Sequence, residues 1–170
     1  MATNASGALA LGMIQPLSDP LLQQIKDGIE AILPPDLKDA YLRIIVAGLK
    51  IMFSPQTHQE AVNALTQASK QHGPYQAVAL GIVTLLSIIL RESKGKMSFL
   101  ASTPAGIVLL CYAFEFVEKQ QHLTLTPQIF ADATHVVTLG VMKLFGITQE
   151  MLAEGVDYAK MATLKQGLAN

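Results

Sequence analysis

Five residues in this sequence have the chemistry and spacing to hold a cation: Glu115, Glu118 and His122, then Asp132 and His135. A helical hairpin folded about residue 125 would set Glu118 opposite Asp132 and Glu115 opposite His135. Carboxylates and an imidazole gathered in this way can bind a metal. Carboxylate-bridged di-metal bundles place Glu-x-x-His on each of two helices. This chain departs from that pattern, because three residues separate Glu118 from His122 and the second pair begins with Asp132. Asp132 and His135 also fall opposite the apolar positions of their own segment, which turns them toward water. Glu115, Glu118, Asp132 and His135 therefore read as a solvated polar face, with a metal-binding or small-ligand protein as the alternative. No cofactor is expected.

His58 and His72 bracket the most polar segment and read as surface residues, with pH sensing as the alternative. Cys111 is the only cysteine and lies in an apolar stretch, where a free thiol behaves as a small hydrophobe. The sequence contains no Gly-rich phosphate loop, Gly-x-Ser-x-Gly, His-Glu-x-x-His or paired Cys-x-x-Cys. The expectation is a protein that is not an enzyme.

The elements that would carry these residues are announced by proline. Asp19-Pro20, Ser54-Pro55, Thr103-Pro104 and Thr126-Pro127 each pair a capping residue with a proline suited to a first helical turn, and Pro35 and Pro74 give two weaker starts. The segment from Pro20 to Leu33 sets Leu21, Leu22, Ile25, Ile29, Ile32 and Leu33 at helical spacing, with Lys26 and Glu30 paired on the wet face. Pro35 to Phe53 reads as amphipathic, Pro55 to Gln71 as a thin outer helix, and Thr126 to Phe145 as amphipathic with Gly146 as its stop. A last helix starts at Thr148, with Leu152, Val156, Ala159, Met151, Tyr158 and Ala162 inward.

Between these lie the two most apolar stretches, Pro74–Arg91 and Pro104–Val117, joined by a link carrying Arg91, Lys94 and Lys96. Residues 71–90 and 97–114 carry no Asp, Glu, Lys or Arg. A rod from Tyr75 to Leu90 is roughly 24 Å long, short of the ~30 Å hydrocarbon layer, which favours a buried core helix. Ala77, Gly81, Thr84 and Ser87 form a small, weakly polar stripe that would admit the second arm closely. Leu85, Ile88 and Ile89 on the first arm and Val108, Leu109, Tyr112 and Phe116 on the second supply the apolar contact. The fold class is all-α: about seven helices, with amphipathic helices packed around a central apolar antiparallel helical hairpin. Residues 1–17 read as a flexible N-terminal arm, 18–166 as a single helical domain and 167–170 as a tail.

In 170 residues, 51% are hydrophobic and only 15% charged, below the ~25% of ordinary globular domains. Much of the surface is therefore uncharged, which points to burial against sister subunits, partner proteins or lipid. A net charge of −1 and the lack of a basic cluster exclude nucleic-acid binding through a charged footprint. The N-terminal stretch lacks the basic region of a secretory signal, so the expected location is cytoplasmic or particle-associated, or at a membrane.

Three readings follow. The first is a non-enzymatic interaction or assembly subunit, homo-oligomeric or bound to partner proteins, as in a virion or a secretion apparatus. The second is a membrane-active protein. The hairpin and its wrapping resemble those of pore-forming colicin domains and of the Bcl-2 group, and that resemblance would give the inserting role to Tyr75–Leu90 and Pro104–Val117. The third is the small-ligand or metal-binding protein that the Glu115, Glu118, Asp132 and His135 group would serve.

Overall fold

The computed structural model describes residues 14–122 and 124–153. Among these the chain is all-α, with α1 (Pro20–Ile32), a 3-10 turn (Pro35–Leu37), α2 (Lys38–Phe53), α3 (His58–His72), α4 (Pro74–Glu92), α5 (Phe99–Gln121), α6 (Pro127–Leu144) and α7 (Gln149–Ala153). Most of the arm, the expected inner positions Val156, Tyr158, Ala159 and Ala162, and the tail lie outside the described residues.

Side-chain caps set two starts as expected: the Leu22 amide donates to Asp19 at 3.0 Å and the Ile129 amide to Thr126 at 3.3 Å. Two other starts are corrected. Ser54 and Pro55 open a turn in which the Thr57 amide donates to the Ser54 hydroxyl at 3.3 Å, and α3 begins only at His58. The second apolar arm begins at Phe99 instead of Pro104, because Ser98 caps it by accepting from the Ala101 amide at 3.3 Å. Pro104 sits inside the helix, where its ring displaces the Leu100 carbonyl from the ladder. Leu100 lies on the outside, 44% exposed.

The roll of α1 also differs from expectation. Lys26 is buried, its ammonium 3.0 Å from Glu30, and the Tyr41 hydroxyl donates to the same carboxylate at 3.1 Å. A lysine stem can pack inward when its ammonium keeps such partners. Burial, with the Glu30 charge beside it, holds the Tyr41 hydroxyl well above its ordinary range. Ile32, read as an inner position, stands 82% exposed.

The centre of the molecule is α5. Ala101, Ser102, Ala105, Val108, Leu109, Leu110, Cys111 and Phe114 are all completely enclosed, on every side of the helix, as an apolar-all-round helix requires. Helices α1, α2, α4 and α6 surround it, and α3 packs on α4 and α2. Ring contacts give the directions: Tyr75 meets Phe114 at 5.5 Å, Phe114 meets Phe130 at 5.9 Å and Phe99 meets Phe145 at 5.2 Å. Thus α4 and α6 each run antiparallel to α5 and parallel to one another. The hairpin is present with both arms longer than read, and its second arm is the more enclosed: 61% of its apolar window is buried, against 39% for α4. At 19 and 23 residues the arms measure about 28 and 34 Å. Both fall within the roughly 17–25 residues with which a helix crosses a bilayer, which corrects the estimate of short helices.

Gly73 joins α3 to α4 with φ 80° and ψ 158°, a conformation open essentially to glycine alone. Gly73→Ala is expected to lower unfolding stability by about 1–2 kcal/mol, although a methyl there would meet no atom within 4 Å. A urea titration checks this, and an unchanged midpoint would refute the strain.

Candidate functional site

The five chemistry-bearing residues do not form one site. Phe114 opposite Phe130 places the fold of the α5–α6 hairpin about residue 122, where His122 turns left-handed with φ 52°. The shift from residue 125 takes Glu118 out of register with Asp132 and Glu115 out of register with His135. Glu118 instead closes the turn, accepting from the Leu125 amide at 3.0 Å. Glu115 points to the chain before α1, accepting from the amides of Ser18 and Asp19, the latter at 3.1 Å, with Lys119 at 3.3 Å. Asp132 takes the Gln128 side chain at 2.9 Å, and His135 is exposed. Among the described residues no three His, Cys, Asp or Glu side chains are grouped so as to hold a metal.

Asp132 and His135 do share an open groove of about 480 Å³ with His72, Tyr75 and Gln76, which sequence separation had hidden. It lies where α4 and α6 begin side by side, and the Tyr75 hydroxyl donates to the Thr124 carbonyl at 2.8 Å beside it. His58 has a partner that spacing did not reveal: its ring stands edge-on to Phe116 at 5.4 Å, with Phe53 against the same ring at 5.9 Å.

The small stripe of α4 is also placed differently from expectation. Ala77 is buried, but Gly81, Thr84 and Ser87 face outward, and a Cβ at Gly81 would meet nothing within 4 Å. The Thr84 hydroxyl is used locally, donating to the Leu80 carbonyl at 3.0 Å. The core side of α4 is formed by Val78, Ile82, Leu85, Leu86 and Ile89, with Ile88 half-buried. Val108 and Leu109 are core residues of α5, while Tyr112 reaches its edge and donates to the Gln15 carbonyl at 2.7 Å. Close helix approach is supplied by other glycines. Gly48 lies against Leu109, Gly106 against Leu86 and Val137, and Gly140 against Val83. Their signal was present, since Gly48 and Gly140 each interrupt an apolar face.

What α4 leaves outside is a face without charge: Gln76, Leu80, Gly81, Thr84 and Ser87 are exposed in succession. Beside it, α6 exposes Leu139 to the same extent as Leu80, 38%. Cys111 offers no nucleophile, because burial pushes its thiol up to about 12.

These features define an all-α bundle built on one enclosed apolar helix, with an uncharged outer face. No family model, no curated protein and no solved structure matches this chain.

Proposed function

We propose that this protein is a non-enzymatic interaction subunit that packs the uncharged outer face of α4, with Leu139 of α6 beside it, against copies of itself or against a partner protein in a larger assembly. The observation that carries the reading is the uncharged run from Gln76 to Ser87, exposed on a helix whose opposite side is already core. Apolar and weakly polar surface of this kind lowers its free energy by leaving water. Membrane insertion of the hairpin is the competing outcome. The windows of α4 and α5 have mean hydropathy 1.5 and 1.6, enough to cross a bilayer by length and composition, but α5 is covered by protein on its apolar sides and so needs no lipid to hide them.

The test is the mass in solution by light scattering without detergent, with flotation on anionic liposomes at neutral and mildly acidic pH from the same preparation. A defined multimer that does not float is expected, dissociating in a Thr84→Lys variant with unchanged helix content. A monomer at every concentration would remove self-assembly and leave only a partner protein for this face, and flotation with lipid would overturn the reading.

A further inference from the structure

The chain before α1 is fastened to α5 by contacts that converge on little more than two turns of that helix. The Gln15 carbonyl accepts from the Tyr112 hydroxyl at 2.7 Å. The Ser18 and Asp19 amides both donate to one oxygen of Glu115, and the Lys119 ammonium donates to the Ser18 hydroxyl at 3.2 Å. Leu17 is buried among them, its amide held by the Gln23 side chain at 2.7 Å. Helix α1 follows at once and covers α5 with Leu22 and Lys26, the latter close enough to act on the Cys111 thiol.

We propose that residues 14–19 are an acid-released clasp holding α1 over α5, with the Glu115 carboxylate as its catch. This goes beyond the assembly reading and does not depend on it. One carboxylate orders two backbone amides and one ammonium, so its charge is the common element of the fastening. Such charge-assisted hydrogen bonds weaken when the acceptor is neutralised.

The neighbouring charges agree with this assignment. On α5 itself Lys119 lies 3.3 Å away. The Asp19 carboxylate is turned to its own helix, accepting from the Leu22 amide at 3.0 Å. On α1, Lys26 and Glu30 pair with each other, and the Tyr41 hydroxyl of α2 joins them. On α3, His58 stands against Phe116, the residue after Glu115.

Burial works to raise the Glu115 carboxyl, but the Ser18 and Asp19 amides and Lys119 outweigh it and hold the group below its ordinary 4.5. A carboxyl depressed in the folded chain adds stability above its unfolded value and gives it up as pH falls through the folded one. The clasp is therefore closed at neutral pH and opens below 4.5.

Cys111 is the reporter, being fully buried beneath this region and the only thiol in the chain. Its labelling by a pyridyl disulfide, which stays reactive in acid, is expected to rise about tenfold on acidification while far-UV ellipticity holds, the size set by losing charge-assisted hydrogen bonds. Glu115→Gln keeps an acceptor but no charge, so it is expected to label at the fast rate already at neutral pH and to lose the acid step. Wild-type labelling by this variant at neutral pH, or an acid step as large as that of the parent, would overturn the clasp. In the unaltered chain, the protection of the Ser18 and Asp19 amides, taken relative to the intrinsic exchange rate at each pH, is expected to fall in acid ahead of that of α5, and simultaneous loss of protection in both would also overturn it.

Discussion

Phe114→Ala is expected to remove about 3–5 kcal/mol of stability, the range for truncating an enclosed aromatic. Its ring is completely buried and stands edge-on between Tyr75 at 5.5 Å and Phe130 at 5.9 Å. It therefore ties α4 and α6 to α5 at the same level, and neither neighbour can collapse into the space without leaving the other. Edge-on aromatic pairs add about 0.5–1.5 kcal/mol each beyond their buried area, so the upper half of the range is favoured. The melting temperature should fall by about 10 °C or more for a chain of this size. Phe116→Ala is the control, since that ring is half-buried and should cost clearly less. Equal losses for the two variants in a urea titration would mean that the triad is not what joins the three helices.

Gly140→Leu is expected to cost about 3 kcal/mol, the upper part of the range for overfilling a packed contact. A Cβ on Gly140 would already overlap the Val83 side chain, coming within 3.1 Å of its Cβ. Valine is stiff about its first torsion, so it cannot swing aside as a longer side chain would. Helix propensity acts in the opposite sense, favouring leucine over glycine by up to about 1 kcal/mol, and the clash must exceed that gain. The decisive measurement is the cycle with Val83→Ala, which opens room on α4. The double variant should be more stable than the sum of the two losses by about 1 kcal/mol or more, as coupled neighbours are. Strict additivity would show that α4 and α6 do not meet through this glycine.

The helices were legible because proline, capping side chains and helical spacing act locally, each within about one turn. The two misplaced boundaries err in opposite directions: Ser98 caps α5 ahead of Pro104, whereas the Ser54 hydroxyl closes a turn and α3 begins only at His58. Direction round the bundle was less legible. The inward turn of Lys26 with its i+4 partner Glu30 depends on Tyr41 arriving from α2 to meet the same carboxylate, and the outward turn of Gly81, Thr84 and Ser87 depends on which side α5 occupies. Composition ranks how apolar a helix is but does not say which of two apolar helices is enclosed. The Glu115 group failed for a related reason. Register across a turn decides which side chains meet, and a shift of three residues sent Glu115 to Ser18 and Asp19, which lie nearly a hundred positions away in sequence.

Parallel packing of α4 and α6, with α5 antiparallel between them in sequence, also sets an order of events during synthesis. Helix α4 is complete before two of the helices that cover it, α5 and α6, have been made. At roughly 5–20 residues per second, a 19-residue rod with no internal charge between Gly73 and Leu90 waits several seconds for α5, and α5 in turn waits for α6. The nascent chain thus presents one strongly apolar helix before either of its later partners can cover it, so the interval before closure is when this protein is most exposed to aggregation or to capture by a chaperone.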